Sequence, residues 1–292
     1  MLKNILVPLT GFENDARALE AANIVGWPFS ASIEALHVRP EAMELVVAAA
    51  VRQFGSRMGN RELIHALEKE AAARAHAART AFDAFYERHF GAHAYGNSAS
   101  GVVASWREIE GNPVEAVVST ARFADLLVLA RAPEHGQYAP AAIANFLVNC
   151  GRPLLLAPNA EVTSIGHTIA IAWKETAEAA RAVTAAMPLL LRAKKVLVLS
   201  VAEGAEEEAH MCAQSADRLG RYLARHGIPV ETRGLKAATH GAPQALLHEA
   251  KELNADLLVA GAFSHSRVRE IVLGGFTREM LDVCDLPLFL LH

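Results

Sequence analysis

The stretch Gly111–Ala130, GNPVEAVVSTARFADLLVLA, returns in altered form at Gly241–Gly261 as GAPQALLHEAKELNADLLVAG. Both open with Gly-x-Pro, continue through an amphipathic segment and end in Ala-Asp-Leu-Leu-Val. Proline lacks an N–H that the first turn of a helix leaves unpaired anyway, so the pattern predicts helices opening at Pro113 and Pro243. The Leu-Leu-Val runs are continuous rather than alternating, as in parallel strands covered on both faces. Two such units on one chain predict an internal repeat.

The match extends in both directions. Each half begins with a strand and an Ala-rich helix, NILVPLTGFENDARALEAA from Asn4 and TIAIAWKETAEAARAVTAAMPLL from Thr168. A second strand follows, ending at Val38 and Val201. A helix then finishes near Arg88-His89 and Arg225-His226, with Gly91 and Gly227 as stop signals. Each half closes with a proline-led apolar strand, PLLLAP from Pro153 and PLFLLH from Pro287. The order β-α-β-α-β-α-β-α-β, twice over, predicts an α/β protein of two tandem open parallel five-stranded sheets with helices on both faces. The expected domains are residues 1–158 and 168–292, joined by a polar linker at 159–167. The first half carries an insertion around residues 41–95, where Leu63, Ile64, Leu67, Ala71, Ala78, Phe82 and Phe85 recur at helical spacing and predict a packing helix.

Composition supports this class and narrows the partners. Of 292 residues, 52% are hydrophobic and only 6% aromatic, which suits small-residue helices on aliphatic strands. A net charge of −4 offers no broad basic field for nucleic acid or an acidic membrane, although a local site can still hold a small anion. The opening MLKNILVPLTG is too brief an apolar run for a signal peptide, and no window approaches the ~20 apolar residues of a membrane span, so a cytoplasmic location is expected. Cys150, Cys212 and Cys284 are isolated and odd in number, which argues against a disulfide framework or a thiolate metal site. The thirteen histidines show no metal-ligand spacing. EEEAHMC from Glu206 reads as an acidic helix start rather than a metal site.

The chemistry-bearing stretch is GAFSHSRVREIVLGGFTREM, which begins at Gly261. Ligands of open parallel sheets sit beyond the carboxyl ends of the strands, and Gly261 is expected at such an end. Glycines allow backbone N–H groups to approach an anion, and Gly274-Gly275-Phe276-Thr277 is expected to open a helix whose free N–H groups favour negative charge. Ser264 and Thr277 offer hydroxyls, and Arg267 a guanidinium. The alternative is that the glycines serve turn geometry alone. Neither a P-loop nor a dinucleotide Gly-x-Gly-x2-Gly is present. Ser264, His265 and Ser266 are adjacent in the chain, which does not make a base-oriented catalytic triad.

This order of motifs resembles the universal stress protein family in its tandem form, with two adenine-nucleotide alpha hydrolase-like domains on one chain. In nucleotide-binding members the fourth strand runs into Gly-x2-Gly-x9-Gly-Ser/Thr. Here the matching positions are Gly261, Ser264, Gly274 and Gly275, so Ser264 replaces the second glycine and Gly275 the Ser/Thr. The resemblance implies a site formed by Ala172, Lys174, Val201, Gly261, Ser264, Arg267, Gly274, Gly275, Phe276 and Thr277, with ATP or ADP as the expected ligand of the second half. It also implies a stress-response role exerted through an unidentified protein partner. Family members usually place an Asp at the end of the first strand, where this chain has Thr10 and Lys174. The first-half counterpart of the loop, ARAPEHGQYAPAAIANFLVNCGRP from Ala130, lacks the glycines and carries Pro133 and Pro140, so no nucleotide is expected there. By the family's habit the closing strands at 154–157 and 288–291 pair within the chain as a pseudo-dimer, with further homodimerisation left open. Three function classes stand: a nucleotide-responsive binding module with at most slow hydrolysis, a stress-associated binding protein without nucleotide, and an enzyme for which no nucleophile or metal set can be named.

Overall fold

A computed structural model describes residues 1–41, 44, 46, 60–91, 103–131, 140–237, 241–262 and 275–292. The first half runs β1 (Asn4–Leu9), α1 (Asp15–Gly26), β2 (Ser32–Arg39), α2 (Asn60–Phe90), β3 (Val103–Glu110), α3 (Pro113–Ala121), β4 (Leu126–Ala130), α4 (Pro140–Asn149) and β5 (Leu154–Ala157). The second runs β6 (Thr168–Ala172), α5 (Ala177–Leu190), β7 (Lys195–Ala202), α6 (Glu206–Arg225), β8 (Val230–Lys236), α7 (Ala242–Glu252), β9 (Leu257–Gly261), α8 (Gly275–Val283) and β10 (Leu288–Leu291). The expected order of elements is therefore present twice. The insertion does form a helix, α2, with Leu63, Leu67, Ala78, Phe82 and Phe85 buried.

Each half contributes five mutually parallel strands, and the ten join in one continuous sheet of order β3-β2-β1-β4-β5-β10-β9-β6-β7-β8. The junction is antiparallel: Leu288 lies opposite Leu156, Phe289 opposite Leu155 and Leu290 opposite Leu154. An isolated five-stranded sheet would expose β5 or β10 as an apolar edge with free backbone donors and acceptors, and their mutual pairing removes both edges. Side chains along these strands alternate between two cores. Leu155 and Phe289 join a core beneath α1, α2, α5 and α6, while Leu154, Leu156, Leu288 and Leu290 join one beneath α3, α4, α7 and α8. Burial on both faces explains why the strands read as unbroken apolar runs.

The aspartate of each Ala-Asp-Leu-Leu-Val repeat is structural. The Asp125 carboxylate accepts from the backbone N–H groups of Lys3 (2.7 Å) and Asn4 (3.0 Å). Asp256 accepts from Gly166 (3.0 Å), His167 (3.1 Å) and Thr168 (3.0 Å). Each thus ties the start of the fourth strand of its half to the start of the first, at the amino pole of the sheet, using charge-assisted bonds. Helix ends also follow local chemistry. The Asn112 side chain caps α3 by accepting from Val114 and Glu115, and Gly227 follows α6 with a left-handed φ of 75° that a side chain would resist. A cross-half brace is added by Arg131, whose guanidinium donates to the carbonyl of Leu281 in the last turn of α8. Burial pushes the Arg131 pKa below its ordinary value, opposed by Cys284, Asp285 and Asp282 nearby.

Candidate functional site

The first strand of each half lies between its second and fourth, so the chain leaves it in one direction and returns on the other side. This places a crevice at the carboxyl ends of β6 and β9, where ligands of open α/β sheets bind. Ala172 ends β6, packed between Leu199 of β7 and Ala260 of β9. Gly261 ends β9 opposite Leu291 of β10. Val201 lies near the end of β7, half-buried, and its carbonyl accepts from the Cys212 thiol at 3.8 Å. Gly275, Phe276 and Thr277 form the first turn of α8, with Gly275 exposed, Phe276 packed against the core and Thr277 buried. Of the sequence-derived set, Ser264, Arg267 and Gly274 lie outside the described residues, as do His265 and Ser266.

The two described loop glycines differ physically. A Cβ built on Gly261 would sit 2.5 Å from the backbone nitrogen of Ala179 and 2.7 Å from the carbonyl carbon of Glu178, in the first turn of α5. That turn packs directly on the strand end, so Gly261 is required by close approach of two backbones. Among the described residues, a Cβ on Gly275 would meet nothing within 4 Å. Packing against the described residues does not account for this glycine.

Lys174 stands exposed in the loop between β6 and α5. A network anchors that loop to α6: the Trp173 indole donates to Ser215 Oγ (2.9 Å), Ser215 donates to Glu175 (2.6 Å), and Arg218 reaches Glu175 at 3.3 Å. These residues border a groove of about 410 Å³. The Thr176 hydroxyl accepts from Ala179 N–H at 3.3 Å and begins α5. Lys174 is thus carried, exposed, on a braced turn. Burial raises the Cys212 thiol pKa, and Glu208 adds to this while Lys174 opposes it. The thiol is kept protonated and poorly nucleophilic.

The same pole of the first half is built differently. Thr10 stands where family members place an Asp, yet a carboxylate is present, supplied by Asp15. It accepts from the backbone N–H of Thr10 (3.0 and 2.9 Å), from the Thr10 hydroxyl (2.9 Å) and from Gly11 N–H (2.7 Å). Burial raises the Asp15 pKa above the ordinary 3.8, against the hydrogen bonds from Thr10 and Gly11 and the nearby His37. Helix α2 closes over the turn, with the Arg74 guanidinium 4.6 Å from the Phe12 ring centre. The backbone donors beyond β1 are therefore occupied by an internal anion. Sequence reading looked for the carboxylate at position 10 and missed this role of Asp15. The available signal was an Asp opening the helix just after a Thr-Gly turn, at the distance from which a helix-start carboxylate reaches back to loop N–H groups.

Among the described residues no three His, Cys, Asp or Glu side chains gather as a metal site, and no helix is long and apolar enough to cross a membrane. Cys150 and Cys284 are buried thiols, the former pushed up to about 11 by burial.

With the architecture and pole in view, the comparison with solved structures is direct. A universal stress protein from Archaeoglobus fulgidus superposes with a TM-score of 0.65 at 15% identity, covering 99% of this chain and 95% of that one. A putative universal stress protein from Pseudomonas aeruginosa gives 0.58 at 14% identity, with 99% and 93% covered. A protein of unknown function from Pseudomonas aeruginosa gives 0.57 at 13%, with 99% and 92% covered. At these identities the likeness is one of fold. This chain has the universal stress protein fold, an α/β architecture with a large, mostly parallel open sheet. No protein-family model matches the sequence, and no curated protein matches it.

Proposed function

We propose that this protein is a universal stress protein-like binding module whose second half holds a small anionic ligand, ATP or ADP, at the carboxyl ends of β6, β7 and β9. The observation that carries the reading is the amino end of α8. Among the described residues a Cβ at Gly275 meets nothing within 4 Å, and Ala172 and Gly261 end the strands on either side of the switch point. Helix-start N–H groups and the helix dipole favour phosphate, with Lys174 as an exposed cation. Ser264, Arg267, Gly274 and Thr277 complete the proposed set by sequence. The two units fall at residues 1–158 and 168–292 in this reading, and the first takes no nucleotide because Asp15 already occupies its turn. Ligand occupancy would then alter a surface read by a protein partner in the cytoplasm. No catalytic group is assigned. Association of further copies would have to use surfaces other than β5 and β10, which are paired within the chain.

One observation favours a second reading, a stress-associated binding protein without nucleotide. Gly261 is explained by its contact with α5 alone. Two measurements separate the readings. Mass spectrometry of small molecules released from freshly purified, denatured protein should find ATP or ADP. Calorimetric titration should show ATP affinity falling about tenfold or more in Gly275→Val, the scale expected for loss of charge-assisted contacts, with an unchanged melting midpoint. An empty pocket together with unchanged titration in the variant would reject nucleotide binding and leave the second reading.

A further inference from the structure

The amino pole of the sheet, at the far end from the site above, also differs between the halves. Strand register makes the difference countable. Ser32 lies opposite Asn4 as Lys195 lies opposite Thr168. Ala104 lies opposite Ile33 as Val230 lies opposite Val196, so Ser105 corresponds to Glu231 and Arg107 to Arg233. Counted from the proline that opens each helix, Ser119 corresponds to Glu249. The second half thus has Lys, Glu and Glu where the first has three serines.

In the second half these larger side chains pair with one another and with Arg233. Arg233 bonds Glu249 at 2.6 Å and Glu231 at 2.8 Å, and Lys195 bonds Glu231 at 2.8 Å. Hydrogen bonds from Lys195 and Arg233 hold the Glu231 pKa below its ordinary value. In the first half the arginine is retained but its partners are gone. Arg107 turns to Glu34 on β2 at 3.3 Å, and the serines leave a groove of about 550 Å³. Leu6 and Ala124 supply apolar wall, and Phe123 stands 83% exposed beside them.

We propose that this groove is a second binding site, specific for a small zwitterion of the α-amino acid type with an apolar side chain. Its size falls in the range of small-molecule sites, and it combines an apolar wall with a few charged and hydroxyl groups. The charged pair is neutral in sum, which matches a ligand of no net charge. Arg107 and Glu34 are both partly exposed and meet through one contact, which leaves the other guanidinium donors and carboxylate lone pairs available. In an amino acid the amino nitrogen and carboxyl carbon lie about 2.5 Å apart. Both charged groups can therefore meet Glu34 and Arg107 together, alternating in sign, without separating the existing pair. The side chain then lies along Leu6 and Ala124 towards Phe123. A polyol would satisfy the serines but bring no charge to the remaining guanidinium donors and carboxylate lone pairs of the Arg107–Glu34 pair. The proposal does not depend on the nucleotide reading, because the two sites occupy opposite poles of the sheet.

The test is calorimetry and ligand-observed NMR on the full chain with three probes: L-phenylalanine, N-acetyl-L-phenylalaninamide, whose charges are capped, and glucose as the neutral polyol. L-phenylalanine should bind saturably, and the capped amide should bind about tenfold or more weakly. Ser119→Glu, which recreates at Arg107 the contact Glu249 makes with Arg233, should abolish binding. Arg107→Gln should reduce it about tenfold or more, with circular dichroism and melting midpoint unchanged since the residue is exposed. Equal binding of the capped amide, preference for glucose, retained affinity in both variants, or no binding by L-phenylalanine at millimolar concentration would each overturn the proposal.

Discussion

The carboxyl poles of the two halves share a topology and differ in what their free backbone donors meet. Beyond β1, the N–H groups of Thr10 and Gly11 are taken by Asp15, and α2 with Arg74 covers the turn. Beyond β6, the turn is braced by Trp173, Ser215 and Glu175, while Lys174 is exposed and, among the described residues, nothing meets a Cβ at Gly275. An open α/β sheet creates a place for an anion at each switch point. Whether that place is a binding site depends on whether the chain fills it with a carboxylate of its own. The amino poles show the reverse partition: in the second half Arg233 is paired with Glu231 and Glu249, and in the first a groove borders Arg107.

The largest way to disturb this comparison is Gly261→Leu. Its side chain must displace the backbone of Ala179, so a loss of about 3 kcal/mol or more is expected, read from urea unfolding. A variant as stable as the parent would remove close packing as the reason for this glycine. Next comes Asp256→Ala, which strands three backbone N–H groups and should cost about 2 kcal/mol. Asp125→Ala, with two such bonds, should cost less; equal losses would show that the tie between first and fourth strands is not what these aspartates contribute.

The Asp15 turn makes a smaller, pH-dependent prediction. Its folded pKa is raised above 3.8, so the folded state holds the proton more tightly than the unfolded chain. The stabilisation is complete below the unfolded value and is lost as pH rises through the folded one. Asp15→Asn cannot titrate, so its stability relative to the parent should improve as pH increases from below 4 towards neutrality. Melting midpoints measured across that range, diverging the opposite way, would mean that the Thr10 and Gly11 hydrogen bonds outweigh burial. Smallest of all, Gly275→Ala should shift stability by no more than about 0.5 kcal/mol, because its added methyl meets none of the described residues. A clear loss would mean that packing, rather than ligand access, holds glycine there.

Much of the fold was legible because its signals are local. Pro113 and Pro243 mark helix starts, and the runs at Leu126 and Leu257 have the continuous apolar pattern that only doubly covered strands need. The pairing of β5 with β10 was expected from the family resemblance, and it covers two short apolar edges whose backbones need partners. The site was legible in part. Gly261 and Gly275 stood out equally as glycines, yet only the packed structure separates the one that a helix presses upon from the one that no described residue touches. Asp15 escaped notice because a carboxylate five residues beyond the expected position reaches the same donors once α1 turns back over the strand.

The sequence alone determined the repeat, the strand and helix order, and the amino-acid types available at each pole, because periodicity, proline placement and turn chemistry act over a few residues. The tertiary structure alone decided which donors and charges remain open. Asp15 meeting Thr10, and Arg233 meeting Glu249 where Arg107 meets Glu34, are contacts between elements. Electrostatic satisfaction depends on distance through space, and a chain read in order does not carry that distance.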